Sequence, residues 1–328
     1  MRRREFIAFV GSIAATWPLA ARAQQPSLPV IAFISGRSAD ASVRVAAAFR
    51  DGLNEAGYAE GKNVTVEYHW LAGRYDSLPA VFADLVHRQV AVIATPGSSP
   101  AALAAKAATT TIPIVFGVGE DPVRLGLVAN LAQPGGNATG VNFFVGEVIA
   151  KRLRLLHDMV PKAVRAAVLF NPANASNTEI ALPIVQEAAR AIGVQIQTVN
   201  ATTIGEIDAV FAGFAGERPD ALFVAPDGFF VSRAVQFATL AARDRIPAAY
   251  PDPDMATAGG LMSYGTETAD MYRQVGVYAA RILKGAKPAD LPVLQSTKFV
   301  LVINLQTARA LGIEVPRDLL SIADEVIE

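Results

Sequence analysis

From residue 29 onwards, short apolar runs rich in β-branched residues alternate with stretches that carry apolar residues at helical spacing. The runs 29–35, 90–95 and 112–118 are continuously apolar, which is typical of strands buried on both faces of a parallel sheet. Stretches such as 42–56 have the spacing of amphipathic helices, and the connections between elements are short. This alternation predicts an α/β fold with doubly wound parallel sheets.

The alternation occurs in two successive series, separated by a glycine-rich stretch at residues 134–140 that we interpret as a loop. The second series begins with a helix at 146–158 and continues through a helix at 305–311. Each series is long enough for one domain of ordinary size, so the sequence predicts two similar lobes. Asp121-Pro122, a capping residue followed by proline, predicts a further short helix before the loop.

The N-terminal residues have the three-part arrangement of a secretory signal peptide. Three arginines at 2–4 precede an apolar run at 6–20, and the Ala-Arg-Ala motif that follows predicts cleavage after Ala23. The arginines are also similar to a twin-arginine signal, and an uncleaved membrane anchor stays open as the alternative. The sequence therefore predicts a signal peptide at 1–23 and a soluble periplasmic protein.

Composition and motifs exclude several classes of function. The chain has no cysteine, which rules out disulfides, thiolate catalysis and iron–sulfur clusters. Its three histidines lack metal-ligand spacing, and no basic tract beyond the N-terminus indicates nucleic acid binding. The sequence contains neither a phosphate-binding loop nor a dinucleotide fingerprint, and it lacks nucleophile-elbow and zinc-protease motifs. We therefore expect no metal, no cofactor, no nucleic acid partner and no enzymatic activity.

Small polar residues follow the predicted strands, at the ends where ligands of doubly wound sheets bind. Pro96-Gly97 ends one strand, and Ser98 and Ser99 precede the helix that begins at Pro100. One serine is expected to cap this helix. Two serines beside the free N–H groups of a helix N-terminus also form a candidate site for a ligand carboxylate. The residues alone leave both interpretations open.

Other candidate contacts lie at the ends of strands in the second series. Asp227 ends a predicted strand, where its carboxylate can bind a ligand amine or cap the following turn. Asn171 can offer a ligand both donors and acceptors. Asp252 and Asp254 are separated by Pro253 and are interpreted as turn residues. Three aromatic residues near loop ends are candidates for apolar walls of a small-molecule site: Phe144, Phe229 and Tyr250.

Three long stretches carry a resemblance to a known family. They are IPIVFGVGEDPVRLGLVANLAQPGGNATGVNF at 112–143, AEGKNVTVEYHWLAGRYDSLPAVFADLV at 59–86 and the segment 259–313. These stretches resemble the solute-binding components of ABC transporters, in the tryptophan/tyrosine-type branch with the type I periplasmic-binding-protein fold. The resemblance implies two lobes joined by a three-segment hinge. It places residues 28–142 and 266–290 in lobe 1, and residues 143–265 and 291–328 in lobe 2.

The resemblance also implies a function and a set of partners. Proteins of this kind close over a small-molecule solute and deliver it to an inner-membrane ABC permease, and we expect a monomer. In the family, the loop that corresponds to Ser98-Ser99 commonly holds a ligand carboxylate, and the loop with Asp227 commonly faces the ligand amine. We therefore expect capture of a small carboxylated solute of aromatic or amino-acid type. A ligand-sensing partner of a membrane receptor and an exported enzyme on the same fold stay open as alternatives.

Overall fold

The computed structural model describes residues 28–143 and 145–328. The predicted signal peptide with its cleavage after Ala23, and the predicted site residue Phe144, lie outside the described residues. Within the described ranges the chain forms two α/β lobes, each built on a twisted sheet with helices on both faces. The prediction of two doubly wound lobes is therefore confirmed. No described helix combines the length and apolar character that crossing a bilayer requires.

The first lobe contains a parallel sheet of six described strands. The strands are β1 (Val30–Ser35), β2 (Thr65–Trp70), β3 (Val92–Pro96), β4 (Ile114–Val118), β5 (Ala138–Asn142) and β11 (Leu294–Gln295). Their spatial order is β11-β5-β4-β3-β1-β2. The helices are α1 (Val43–Glu55), α2 (Leu78–His87), α3 (Ser99–Ala108) and α10 (Thr268–Leu283). Short 3-10 turns occur at Asp40–Ser42, Tyr75–Ser77 and Pro288–Asp290.

The second lobe contains a mixed sheet of seven described strands. The strands are β6 (Arg165–Phe170), β7 (Gln195–Asn200), β8 (Ala221–Val224), β9 (Ala248–Tyr250), β10 (Met262–Thr266), β12 (Phe299–Asn304) and β13 (Glu325–Ile327). Their order is β13-β12-β10-β9-β8-β6-β7, with β12 antiparallel to β10 and the other pairs parallel. The helices are α4 (Val145–Met159), α5 (Ala175–Ala191), α6 (Ile204–Gly213), α7 (Gly228–Val231), α8 (Ala234–Arg243), α9 (Pro253–Thr257), α11 (Leu305–Leu311) and α12 (Arg317–Ile322).

Each sheet is buried on both faces, which explains the continuously apolar strands. In β1, Ile31 and Phe33 pack into the cluster beneath α1 and α10, whereas Ala32 and Ile34 pack into the cluster on the opposite face. Successive side chains of a strand point to opposite faces, so a strand with two buried faces needs apolar residues throughout. The cores thus hold the strands in register and present the carboxyl-end loops of the two lobes to each other.

Within the described ranges the chain crosses between the two sheets three times, after Asn142, after Thr266 and between Gln295 and Phe299. Hydrogen bonds join the crossings: the Thr266 hydroxyl donates to the carbonyl of Phe143 at 2.9 Å. The Ser296 N–H donates to the Asn142 carbonyl at 2.8 Å, and the Glu267 N–H to the Lys298 carbonyl at 3.0 Å. Because β11 pairs with β5 in the first sheet, the strand pairing favours a third crossing a few residues after 290. The lobe boundaries remain a prediction.

Local predictions differ from the structure at two places before the first crossing. The expected short helix at Asp121-Pro122 is wrong: the segment forms turns, and the Asp121 carboxylate accepts a hydrogen bond from the N–H of Val123 at 2.8 Å. The side chain thereby satisfies the local backbone without a helix, as in an Asx turn. The predicted loop at 134–140 is shorter than expected, since β5 already begins at Ala138.

Candidate ligand-binding site

A cavity of about 100 Å³, partly open to solvent, lies between the lobes at the carboxyl ends of strands from both sheets. Because one water needs about 10–15 Å³ of such volume, the cavity accommodates several water-sized groups. Its polar and charged lining comes from both lobes and consists of Arg37, Ser99, Glu120, Arg152, Asn174, Asn177, Asp227, Asp252, Thr266 and Thr268. The apolar lining includes Phe143, Val148, Val231 and Met271.

The two serines after β3 have different roles. The Ser98 side chain is the N-cap of α3 and accepts a hydrogen bond from the N–H of Ala101 at 3.4 Å. The Ser99 hydroxyl lines the cavity and donates a hydrogen bond to the carboxylate of Glu120. The helix-capping interpretation therefore holds for Ser98. The hydroxyl of Ser99 is already bonded to a carboxylate of the protein itself.

Glu120 follows β4 and is 3 % exposed. Its backbone carbonyl accepts a hydrogen bond from the side-chain amide of Asn142 at 2.5 Å, which fixes the loop. Burial raises the pKa of the Glu120 carboxyl, and the hydrogen bond from Ser99 opposes this increase. Oε2 accepts the hydrogen bond from Ser99, whereas Oε1 has no partner within hydrogen-bonding geometry among the described residues. A buried carboxylate oxygen of this kind can accept a hydrogen bond from a ligand.

Asp227 follows β8 and caps the short helix α7. Its Oδ1 accepts hydrogen bonds from the backbone N–H groups of Phe229, at 3.0 Å, and Phe230, at 3.3 Å. The same carboxylate accepts hydrogen bonds from the Asn171 amide and the Asn174 amide, both at 3.0 Å. Burial raises the pKa of Asp227, and these amides oppose the increase.

A further donor to Asp227 comes from the first lobe. The Tyr75 hydroxyl donates to its Oδ2 at 3.1 Å. With the two amides and the two N–H groups, five donors converge on one carboxylate in the described structure. A carboxylate has about four lone-pair sites, so this carboxylate has little capacity left for a ligand. The structure also places Asn171 behind Asp227 rather than on the cavity wall.

Two of the predicted aromatic residues lie in the core of the second lobe. Phe229 is 5 % exposed and packs on Phe230, and a Cβ added to Gly73 of the first lobe would lie 2.9 Å from its side chain. Tyr250 is 1 % exposed and packs against Phe237. Neither ring is part of the cavity lining described above. Large aromatic rings gain most by complete burial, which draws them into the core at loop ends.

The sequence analysis missed an ion pair that joins the lobes. Arg37, which follows β1, lies with its Nη2 2.5 Å from the Oδ2 of Asp252, and both side chains are buried. Burial alone raises the pKa of the Asp252 carboxyl, but the charge of Arg37 and the hydrogen bond from Thr268 outweigh it, and the pKa lies below its usual value. Asp252 also caps α9 by accepting from the N–H of Asp254 at 3.1 Å, so the turn interpretation described only part of its role.

A second missed residue is Arg152 on α4. It is fully buried, lines the cavity and donates to the carbonyls of Tyr264 and Val224, each at 3.3 Å. Its guanidinium lies over the ring of Phe223 at 4.4 Å. No carboxylate among the described residues pairs with it, and burial lowers its pKa to about 9. The sequence carries a signal for it, since position 152 is four residues after Val148 on the buried face of the helix.

These contacts hold the lobes in a closed arrangement. Besides the pair of Arg37 with Asp252 and the bond from Tyr75, the N–H of Ser38 donates to the hydroxyl of Ser232 at 2.8 Å. The cavity is therefore lined by both lobes, an arrangement found in proteins that close around a ligand by a hinge.

Comparisons with known proteins agree with this geometry. A family model described as ABC transporter substrate binding protein matches residues 27–327. A tyrosine-binding protein of Clostridioides difficile (strain R20291) is 26% identical over 266 residues, 81% of this chain and 76% of that protein. The matched family and this relative are both described as binding proteins, not as enzymes.

Two solved structures are informative about the arrangement of the lobes. An ABC domain from Streptococcus pneumonia in complex with L-Trp is 25% identical, with a TM-score of 0.82, and the match covers 92% of this chain and 100% of that one. The ligand-free, open structure of a substrate-binding protein with adhesive properties from Clostridium difficile is also 25% identical, with a TM-score of 0.61, over 92% and 99% of the two chains. The two structures are equally identical to this chain in sequence, so the higher TM-score indicates that its lobes are arranged more like those of the L-Trp complex than like those of the open structure.

Proposed function

Because the chain belongs to the family of ABC transporter substrate-binding proteins, we propose that it captures a small carboxylated solute of aromatic or amino-acid type and delivers it to an inner-membrane permease. The observation that carries the proposal is the cavity between the lobes, to which both lobes contribute charged side chains. A cavity with charges of both signs suits a solute that itself carries both signs.

The proposed ligand class is supported by the lining and by the relatives. Arg152 supplies a cation, Glu120 supplies an anion, and Phe143, Val148 and Met271 supply apolar surface. The relative from Clostridioides difficile is named for tyrosine, and the streptococcal structure holds L-Trp. An aromatic amino acid carries an ammonium group, a carboxylate and an apolar ring, and therefore matches all three parts of this lining.

Capture is proposed to occur by closure of the lobes. The solute first contacts one lobe, and its contacts with the other lobe stabilise the closed arrangement. The bonds from Tyr75 to Asp227 and from Arg37 to Asp252 join the lobes and add to the free energy of closure. The permease then recognises the closed, loaded form. We further propose that the protein is exported to the periplasm, by the signal at residues 1–23, and acts there as a monomer without a cofactor.

A thermal-shift screen of the purified protein tests the ligand class. The compounds are L-tyrosine, L-tryptophan, 3-(4-hydroxyphenyl)propionate, which lacks the amine, and tyramine, which lacks the carboxylate. A ligand at 100 times its Kd adds about 2.7 kcal/mol to the free energy of unfolding, which is a clear increase in Tm. A carboxylated compound is expected to raise Tm, with D-glucose as the control. Equal Tm with every compound would reject the proposed ligand class.

Delivery is tested separately, by uptake of the identified solute into cells. Deletion of this protein is expected to abolish high-affinity uptake, and expression from a plasmid is expected to restore it. Normal uptake in the deletion strain, together with solute binding by the purified protein, would reject the transport role and retain the binding role.

A further inference from the structure

The charged groups around the cavity differ in how far the protein itself satisfies them. Arg37 and Asp252 form a buried ion pair with each other. The carboxylate of Asp227 accepts hydrogen bonds from five donors. Arg152 and Glu120 remain as charged lining groups without an ionic partner among the described residues. These two side chains therefore have the capacity to interact with a ligand.

Burial of the Arg152 guanidinium without a carboxylate partner among the described residues costs free energy. A guanidinium has five N–H donors, and this one uses two of them on the carbonyls of Val224 and Tyr264. Its Nε has no hydrogen-bond partner in the described part of the chain. Carbonyl oxygens and the ring of Phe223 offset part of the desolvation of the cation, but they carry no net charge. A carboxylate matches the planar guanidinium and also neutralises it.

Glu120 changes the interpretation of the serines after β3. Its carboxylate already accepts the hydrogen bond of Ser99, beside the N-terminus of α3. A ligand carboxylate at that place would lie next to the negative charge of Glu120, and like charges at contact distance repel strongly. A ligand ammonium group at the same place would instead be attracted, and the free Oε1 can accept its hydrogen bond.

We propose that the ligand binds with its carboxylate on Arg152 of the second lobe and its cationic amine on Glu120 of the first lobe. This inference rests on the proposed function and adds the orientation of the solute. Because the two charges belong to different lobes, a zwitterion bridges them, whereas a compound with one charge interacts strongly with one lobe only. Ser99 acts as a positioning residue that holds the Glu120 carboxylate.

Calorimetry with three probes tests the orientation. The probes are L-tyrosine, tyramine and 3-(4-hydroxyphenyl)propionate, and the variants are Arg152→Met and Glu120→Gln. Arg152→Met is expected to reduce the affinity for the two carboxylated probes at least about 30-fold, because removing one partner of a buried charge pair costs at least this factor in affinity. The affinity for tyramine is expected to fall less than about threefold. Glu120→Gln is expected to weaken L-tyrosine and tyramine and to leave the propionate nearly unchanged.

Two further variants separate ligand binding from folding. Arg154→Met changes an exposed arginine of the same helix and is expected to bind all probes like the wild type. Arg152→Lys keeps a positive charge but lacks the planar guanidinium that can bond a carboxylate with two N–H groups. It is expected to give a smaller loss of affinity, again confined to the carboxylated probes. If circular dichroism shows that Arg152→Met is unfolded, the Arg152→Lys variant alone tests the orientation.

The outcomes distinguish the two proposals. If the wild type binds none of the probes, the proposed ligand class fails and the orientation fails with it. If the wild type binds L-tyrosine but the Arg152 variants weaken all probes equally, the arginine has only a structural role and the orientation alone is wrong. The orientation would also be rejected if the preference for carboxylated probes over tyramine disappeared in Ser99→Ala but persisted in both Arg152 variants.

Discussion

Gly228 lies where the two lobes approach each other closely, and its replacement by alanine should oppose closure. A Cβ at this position would lie 2.9 Å from the carbonyl carbon of Gly36 and 3.1 Å from the backbone nitrogen of Arg37, both on the other lobe. The backbone of Gly228 is not in the left-handed region, so alanine itself is compatible with the conformation. The clash therefore penalises the closed arrangement and not the fold of either lobe.

The magnitude follows from these distances. Non-bonded carbon atoms pack best at about 3.5 to 4.0 Å, so the lobes must move apart by roughly 0.5 to 1 Å to accept the methyl group. Overpacking of this size costs about 1 to 3 kcal/mol. Because ligand binding requires closure, the same free energy appears as an affinity that is weaker by about 5- to 150-fold. The bond from Tyr75 to Asp227 would lengthen as well.

The assay combines calorimetry with small-angle scattering. Gly228→Ala is expected to weaken the ligand found in the thermal-shift screen and to leave a larger radius of gyration at saturation. The matched control is Gly205→Ala, since position 205 lies in a helix of the same lobe with no atom within 4 Å of an added Cβ. Alanine there should stabilise the helix by up to about 1 kcal/mol without changing affinity. Equal affinities in the two variants would refute the reasoning.

Three further predictions concern the same interface. Tyr75→Phe removes the hydroxyl that donates to Asp227 at 3.1 Å; calorimetry should show about tenfold weaker binding or more, and unchanged affinity would contradict a role in closure. Asp252→Asn leaves Arg37 buried without its partner, at a cost of about 3–5 kcal/mol to the closed form; scattering with saturating ligand should show an open molecule, and a closed one would argue against the pair. Burial raises the pKa of Glu120 above 4.5, so the folded protein retains a proton that the unfolded chain releases, and stability falls as pH rises from 4.5 through the raised pKa. Glu120→Gln should make this fall shallower in urea denaturation, whereas an identical profile would exclude Glu120 as its source.

Local patterns were sufficient to predict the fold class, and they pointed to strand ends that line the cavity between the lobes. The apolar runs at 29–35 and 90–95 predict strands buried on both faces, and such strands require helices on each side; the structure forms them at Val30–Ser35 and Val92–Pro96. Polar residues after the strands lie where the carboxyl ends of parallel strands meet. Ser99 and Asp227, chosen from this rule, both line the cavity between the lobes.

The roles of individual side chains were not accessible in this way. For Asp227 the sequence left an amine contact and a turn cap open; the structure shows the cap, and further donors to its oxygens include Tyr75, which is 152 residues away in the chain. Arg37 and Asp252 are 215 residues apart, and each by itself resembles an ordinary loop residue. Arg152 could have been recognised as a charge on the apolar face of its helix, although the helix alone does not show what it faces.

There is a physical reason why the sequence predicts the fold class but not the roles of individual side chains in the cavity. Strand and helix formation depend on side-chain periodicity and capping within a few residues, and these are written in neighbouring positions of the chain. The chemistry of the cavity depends on which charges are compensated after two lobes close on each other. Compensation is set by contacts over a few ångströms between segments distant in sequence, because burial and neighbouring charges determine whether a carboxylate or a guanidinium is satisfied or remains able to bind a solute.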